Sequence, residues 1–282
     1  MEIKNTLLAV MGLSVGVSAF ASEDVSDAVI AAQRAELAAA TEGLGFGPQS
    51  PRDLDQLEGE NSRIFGEAPS STEMNLCNIH FHEGAEHRGG DFTTFAGNGD
   101  GNGFGTGFLF DGELVGREAR RFRFPVCQDE NGFLETGDTI ELHYVYSSAL
   151  VEPGPGLSSC ISPSISNPQL RVEAQVMVMV NDRNAADFRE LTKIETVDGF
   201  FQAVNIPRDT GFPTKYAGST TGPSFNTQGS PLQVSWAVRP RVLRVDIASV
   251  ARWCASNPFD ESAAQGVRNL VINPDLLSEV PH

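Results

Sequence analysis

Basic residues are scarce in this chain of 282 residues: 20 Lys and Arg stand against 37 Asp and Glu, a formal net charge of −17. That balance excludes nucleic acid as a partner, because basic patches supply most of the affinity for a phosphate backbone. Cysteine is sparse as well, and the four present (Cys77, Cys127, Cys160, Cys254) include no CxxC pair. In an exported chain an even, small count predicts two disulfides rather than thiols or metal ligands. Of the three pairings, the expectation is Cys127 with Cys160, closing off the ends of one strand region, and Cys77 with Cys254. Long apolar runs are absent beyond residue 20, so no membrane span is expected. The run at 7–20 follows Glu2 and Lys4, carries small residues at Ala19 and Ala21, and gives way to Ser22, Glu23 and Asp24. This is the pattern of a signal peptide cut after Ala21, which predicts a secreted or periplasmic protein.

The expected organisation is therefore a signal peptide over 1–21, an N-terminal helix and loop over 22–71, and one main domain over 72–282. Residues 24–41 repeat Ala, Glu, Gln and Leu at near-helical spacing, with Ser26 or Asp24 as the cap. A Gly-, Pro- and Ser-containing loop over 43–71 follows. Runs rich in β-branched and aromatic residues predict strands at 76–82, 107–110, 120–126, 139–146, 171–180, 232–238 and 243–247. Short helices are expected at 248–254 and 261–269. The predicted fold is mainly β: a central twisted sheet, antiparallel or mixed, with a few peripheral helices. The glycine-rich run 97–103 fails as a calcium loop, because its twelfth position is Leu109 where a bidentate Glu is required.

Histidine is rare but clustered: of five, three lie within Asn78-Ile79-His80-Phe81-His82-Glu83-Gly84-Ala85-Glu86-His87. On a strand, alternation puts His80 and His82 on one face and Phe81 on the other, so two imidazoles can reach one ion. His143, in Thr139-Ile140-Glu141-Leu142-His143, is the expected third ligand, with His87 in reserve. Glu141, two residues before His143, shares its face and would fix its tautomer. Three neutral histidines leave a zinc ion its full double charge, which acidifies water.

The stretches HFH, EH and ELH, with Tyr216-Ala217-Gly218-Ser219-Thr220-Thr221-Gly222-Pro223 and Val234-Ser235-Trp236, resemble blocks of the α-class carbonic anhydrases. More closely, CNIHFHEGAEHRGG and the long insertion before ELH resemble the δ-class carbonic anhydrases. The resemblance implies an α-carbonic-anhydrase-like sheet in a catalytic domain over 72–282, and reversible hydration of CO2 to bicarbonate. It implies zinc on His80, His82 and His143, with cadmium or cobalt as substitutes, and Glu141 behind the ligands. It further implies Glu86 as the partner of a gating threonine, which is Thr221 by gap-free alignment, Thr220 if the loop shifts. Val145 and Trp236 match apolar pocket positions, and Tyr216 and His87 match hydrogen-bonding supports.

Two rivals use the same residues. His80, His82 and Glu86 also reproduce the HxHxxxE core of a cupin, but Met74 stands where that motif has glycine, and no Pro-x-Gly-x-x-His block follows. A non-catalytic zinc-binding protein on the same frame would normally have lost a ligand.

Overall fold

The computed structural model describes residues 24–44, 53–221 and 226–280, without the side chains of Thr220, Thr221 and Pro231. The expected signal peptide lies outside the described residues.

Strands β1 (Asn75–Glu83) and β4 (Thr139–Ser147) alternate polar and apolar side chains, yet are buried along almost their whole length. Both faces are therefore covered, one by apolar packing and the other by polar residues that satisfy one another. With β5 (Leu170–Val180), β8 (Thr214–Thr221) and β9 (Gly229–Asp246) they form a five-stranded sheet in the order β1-β4-β5-β9-β8. Its pairings are antiparallel except β5–β9, which run parallel. The sheet is thus mixed. Hairpins β2 (Thr94–Asn98)–β3 (Thr106–Leu109) and β6 (Ile194–Val197)–β7 (Phe200–Ala203) lie outside it. Helices α1 (Asp27–Thr41), α2 (Phe188–Leu191) and α3 (Ile247–Ala255) are peripheral.

The apolar face explains why β1 sits as it does. Ile79, Phe81, Ile140, Leu142 and Tyr144 are buried in one cluster with Phe188, Trp253 and Phe259. The Phe81 ring lies 5.7 Å from that of Phe188 and 5.8 Å from that of Trp253. Truncating such a residue costs about 3–5 kcal/mol, so Phe81 locks the face that His80 and His82 show. After β1 the chain turns at Gly84, φ +82°, where a Cβ would collide with the Thr106 carbonyl; only glycine fits there.

Several expectations are corrected. The disulfides are Cys77–Cys160 and Cys127–Cys254, not the pairing inferred from strand ends. Cys160 closes a 3-10 turn that packs on β1, while Cys127 sits in a loop against α3, which carries Cys254. Residues 120–126 form no strand; they are mostly exposed, and only Val126 bridges, to Leu134. The two strands expected at 232–238 and 243–247 are one strand, β9, which runs through Pro240 with a register shift opposite Gln175/Met177. Residues 261–269 are not helical: the segment runs extended beside β1, where Gln265 exchanges backbone bonds with Phe81 and Glu83. Ser26 is the N-cap residue of α1 but makes no side-chain cap bond, and the Asp24 carboxylate instead accepts from the Asn98 amide. The glycine-rich run forms the β2–β3 turn, pinned by the Asp100 carboxylate, which accepts from the amides of Asn102 and Phe104.

Candidate metal centre

In the antiparallel β1–β4 pair, His80 lies opposite His143 and His82 opposite Glu141. Directly paired residues share a face and i, i+2 neighbours share it too, so these four side chains gather on the polar side of the sheet. One ring nitrogen from each of His80, His82 and His143 falls within 4.8 Å of the other two, and all three residues are buried.

The remaining nitrogens are all engaged. His80 Nδ1 donates to Asn78 Oδ1 (2.6 Å), His82 Nδ1 to the Gly266 carbonyl (2.9 Å), and His143 Nε2 to Glu141 Oε1 (3.0 Å). Each neutral ring then turns a lone pair toward the common point: Nε2 of His80, Nε2 of His82 and Nδ1 of His143. His80 Nε2 and His143 Nδ1 face each other at 3.3 Å, where two lone pairs repel unless a cation lies between them. His82 Nε2 is buried with no hydrogen-bond partner among the described residues. Ligand atoms on a tetrahedron with bonds of about 2.0–2.1 Å are roughly 3.3 Å apart. The residues present fit a metal ion.

Burial favours the neutral form of His80 and His82, while Glu141 pulls His143 the other way. Burial, then the neighbouring His143 and His82, push His80 well below the ordinary histidine range. Burial also lowers His82, with Glu86 opposing. His143 is raised, because hydrogen bonding and charge from Glu141 outweigh its own burial.

Glu141 is the hub behind the three histidines. Oε2 accepts from the amides of Glu86 (2.7 Å) and His87 (3.1 Å), and Oε1 from His87 Nδ1 (2.7 Å) as well as His143. Burial alone would raise its pKa, but His87 and His143 hold it well below the carboxylate range. With Nδ1 on Glu141, His87 accepts through Nε2 from the Tyr216 hydroxyl at 2.7 Å. Tyr216 stacks on Trp236, whose ring lies 5.3 Å from that of His143. His87, Glu141 and His143 form a second group of metal-binding residue types, but both His87 nitrogens are taken, which removes His87 as the reserve ligand.

Trp236 and Glu86 line the cavity of about 590 Å³ that opens over the three histidines. Val145, on His143's face of β4, is buried in the apolar cluster that includes Trp236. Glu86 approaches His82 at Nδ1, 3.8 Å away, the nitrogen turned from the common point. It is therefore not placed as the glutamate ligand a cupin would need. Thr221 ends β8, and its side chain, like that of Thr220, lies outside the described residues. Asn78 and Gly266 were not anticipated. Asn78 was legible by alternation from His80, whereas nothing local marks Gly266, which arrives from 184 residues away in sequence.

A family model described as delta carbonic anhydrase matches residues 71–249. The chain belongs to the delta carbonic anhydrase family. A search of curated proteins finds no match. Among solved structures, the alpha-carbonic anhydrase of Photobacterium profundum is similar at 15% identity and a TM-score of 0.27, over 87% of this chain and 95% of that one.

Proposed function

We propose that the protein is a zinc enzyme catalysing the reversible hydration of CO2 to bicarbonate and a proton. The observation that carries this reading is the convergence of three histidine lone pairs whose opposite nitrogens are all hydrogen-bonded. A zinc ion held by His80, His82 and His143 supplies a Lewis acid that brings the pKa of water to about 7.

The chain's own residues do the rest. Asn78, the Gly266 carbonyl and Glu141 fix the tautomers, so the histidines bind without rearranging. Trp236, with Val145 in the layer behind, gives the uncharged substrate an apolar wall. By the resemblance, Thr221 is the residue that would orient the attacking water, with Glu86 as its partner. The two disulfides fit an oxidising compartment, in keeping with export and a mature chain beginning near Ser22.

The test is metal analysis with stopped-flow CO2 hydration on the same purified sample. About one zinc per chain and activity that disappears with chelation and returns with zinc are expected. Full zinc occupancy without hydration would leave a metal-binding protein and refute the enzyme.

A further inference from the structure

Hydration of CO2 by water gives bicarbonate and one proton, and the proton has to leave the cavity each turnover. We propose that Glu261 carries it between the histidine cavity and solvent. The inference rests on the CO2-hydrating reading above.

Among the described residues, six titratable side chains line the cavity: His80, His82, His143, Glu86, Asp260 and Glu261. The histidines have no nitrogen to spare once they hold a metal, because the opposite nitrogen of each already donates. Glu86 is only 3% exposed. Asp260 is exposed at the rim. His87 is fully buried, with both nitrogens committed. Among these described residues Glu261 is partly buried in the wall and held in place by hydrogen bonds.

Its support is specific. Glu261 Oε1 accepts from Gln265 Nε2 at 2.9 Å. The Asn257 side chain clamps its backbone, Oδ1 accepting from the Glu261 amide at 3.2 Å and Nδ2 donating to its carbonyl at 2.8 Å. Gln265 is anchored to Phe81 and Glu83 on either side of His82. One carboxylate oxygen is thus pinned on a residue that lines the cavity. Among the described residues no Lys or Arg lines the cavity to stabilise the charged form, and burial raises the pKa despite the Gln265 hydrogen bond. A raised carboxyl is better matched to taking and releasing a proton near neutral pH. The step balances: the carboxylate gains the proton released by hydration, through cavity water, becomes a carboxylic acid, and returns the proton to buffer.

Wild type, E261Q, E261D and D260N, each zinc-loaded and full length, test this. In E261Q zinc content and kcat/KM should be unchanged, while kcat at low buffer falls on the order of 100-fold, the low end for a positioned acid–base group. High imidazole should restore it. E261D should keep most of kcat, and D260N all of it. Independently of turnover, the infrared difference between wild type and E261Q should show a protonated carboxyl at pH values where an ordinary glutamate, pKa about 4.3, is ionised. Unchanged kcat in E261Q at low buffer, the loss appearing in D260N instead, or a carboxyl titrating at the ordinary value would each overturn the assignment. Zinc-loaded wild type that fails to hydrate CO2 would overturn the functional reading and this inference together, whereas active wild type with unaffected E261Q would sink only the inference.

Discussion

Replacing Glu141 with Gln puts an NH2 group where every neighbour is a donor: the amides of Glu86 and His87 on one oxygen, the rings of His87 and His143 on the other. If the NH2 faces the amides, two buried N–H groups lose their acceptor, at about 1–3 kcal/mol each. If it faces the rings, His143 can accept at Nε2 only by moving its proton to Nδ1, the nitrogen that faces His80 Nε2 at 3.3 Å. That proton would occupy the lone pair a metal needs. The metal-free protein should lose about 1–3 kcal/mol for each buried donor left unpaired, and either way zinc affinity should fall about 10–100-fold. Urea unfolding of the metal-free protein and chelator competition measure the two separately. The pH dependence follows from the lowered pKa of Glu141. Its stabilisation is fully present above the unfolded value, about 4.3, and is lost only as pH falls through the lower folded value. The gap between wild type and E141Q should therefore persist from neutral pH down to about 4.3 and close only below it. An E141Q protein with wild-type stability and zinc affinity at neutral pH would refute the reasoning.

Asn78→Ala removes the acceptor of His80 Nδ1 and the donor to the Gly154 carbonyl, and should weaken zinc about 10–100-fold in the same chelator competition. Thr221→Ala should keep its zinc but lose about 100-fold in hydration rate, the cost of a misplaced reacting group, with Thr220→Ala much closer to wild type; the reverse result would move the gating role to Thr220. Glu83 is raised to about 7 by burial and by the charges of Asp138 and Asp129. The folded state therefore holds a proton that the unfolded state has released between about pH 4.3 and 7, and stability falls as pH rises through that window. Glu83→Gln should stabilise by about 1–2 kcal/mol at pH 8, discounted for partial exposure, and by little near pH 4.5, as read from urea midpoints.

The sequence by itself determined the strands that carry His80, His82 and His143 and the face they share. Strand alternation in HFH and ELH needs only period two, and a buried Phe81 between two histidines leaves one choice of which side turns to the core. The mainly-β class was legible for the same local reason, and the family from the resemblance of the HFH, EH and ELH stretches. Tertiary structure decided what depends on contacts distant in the chain. The disulfide pairing turned on which loop packs on β1 and which on α3. The 261–269 segment has residues that tolerate a helix, but its backbone bonds go to β1 instead, and that choice delivers Gly266 to His82 and Glu261 to the cavity wall. Backbone carbonyls have no side-chain signature, so a ligand support made of one becomes visible only when the fold brings it within 2.9 Å of a histidine.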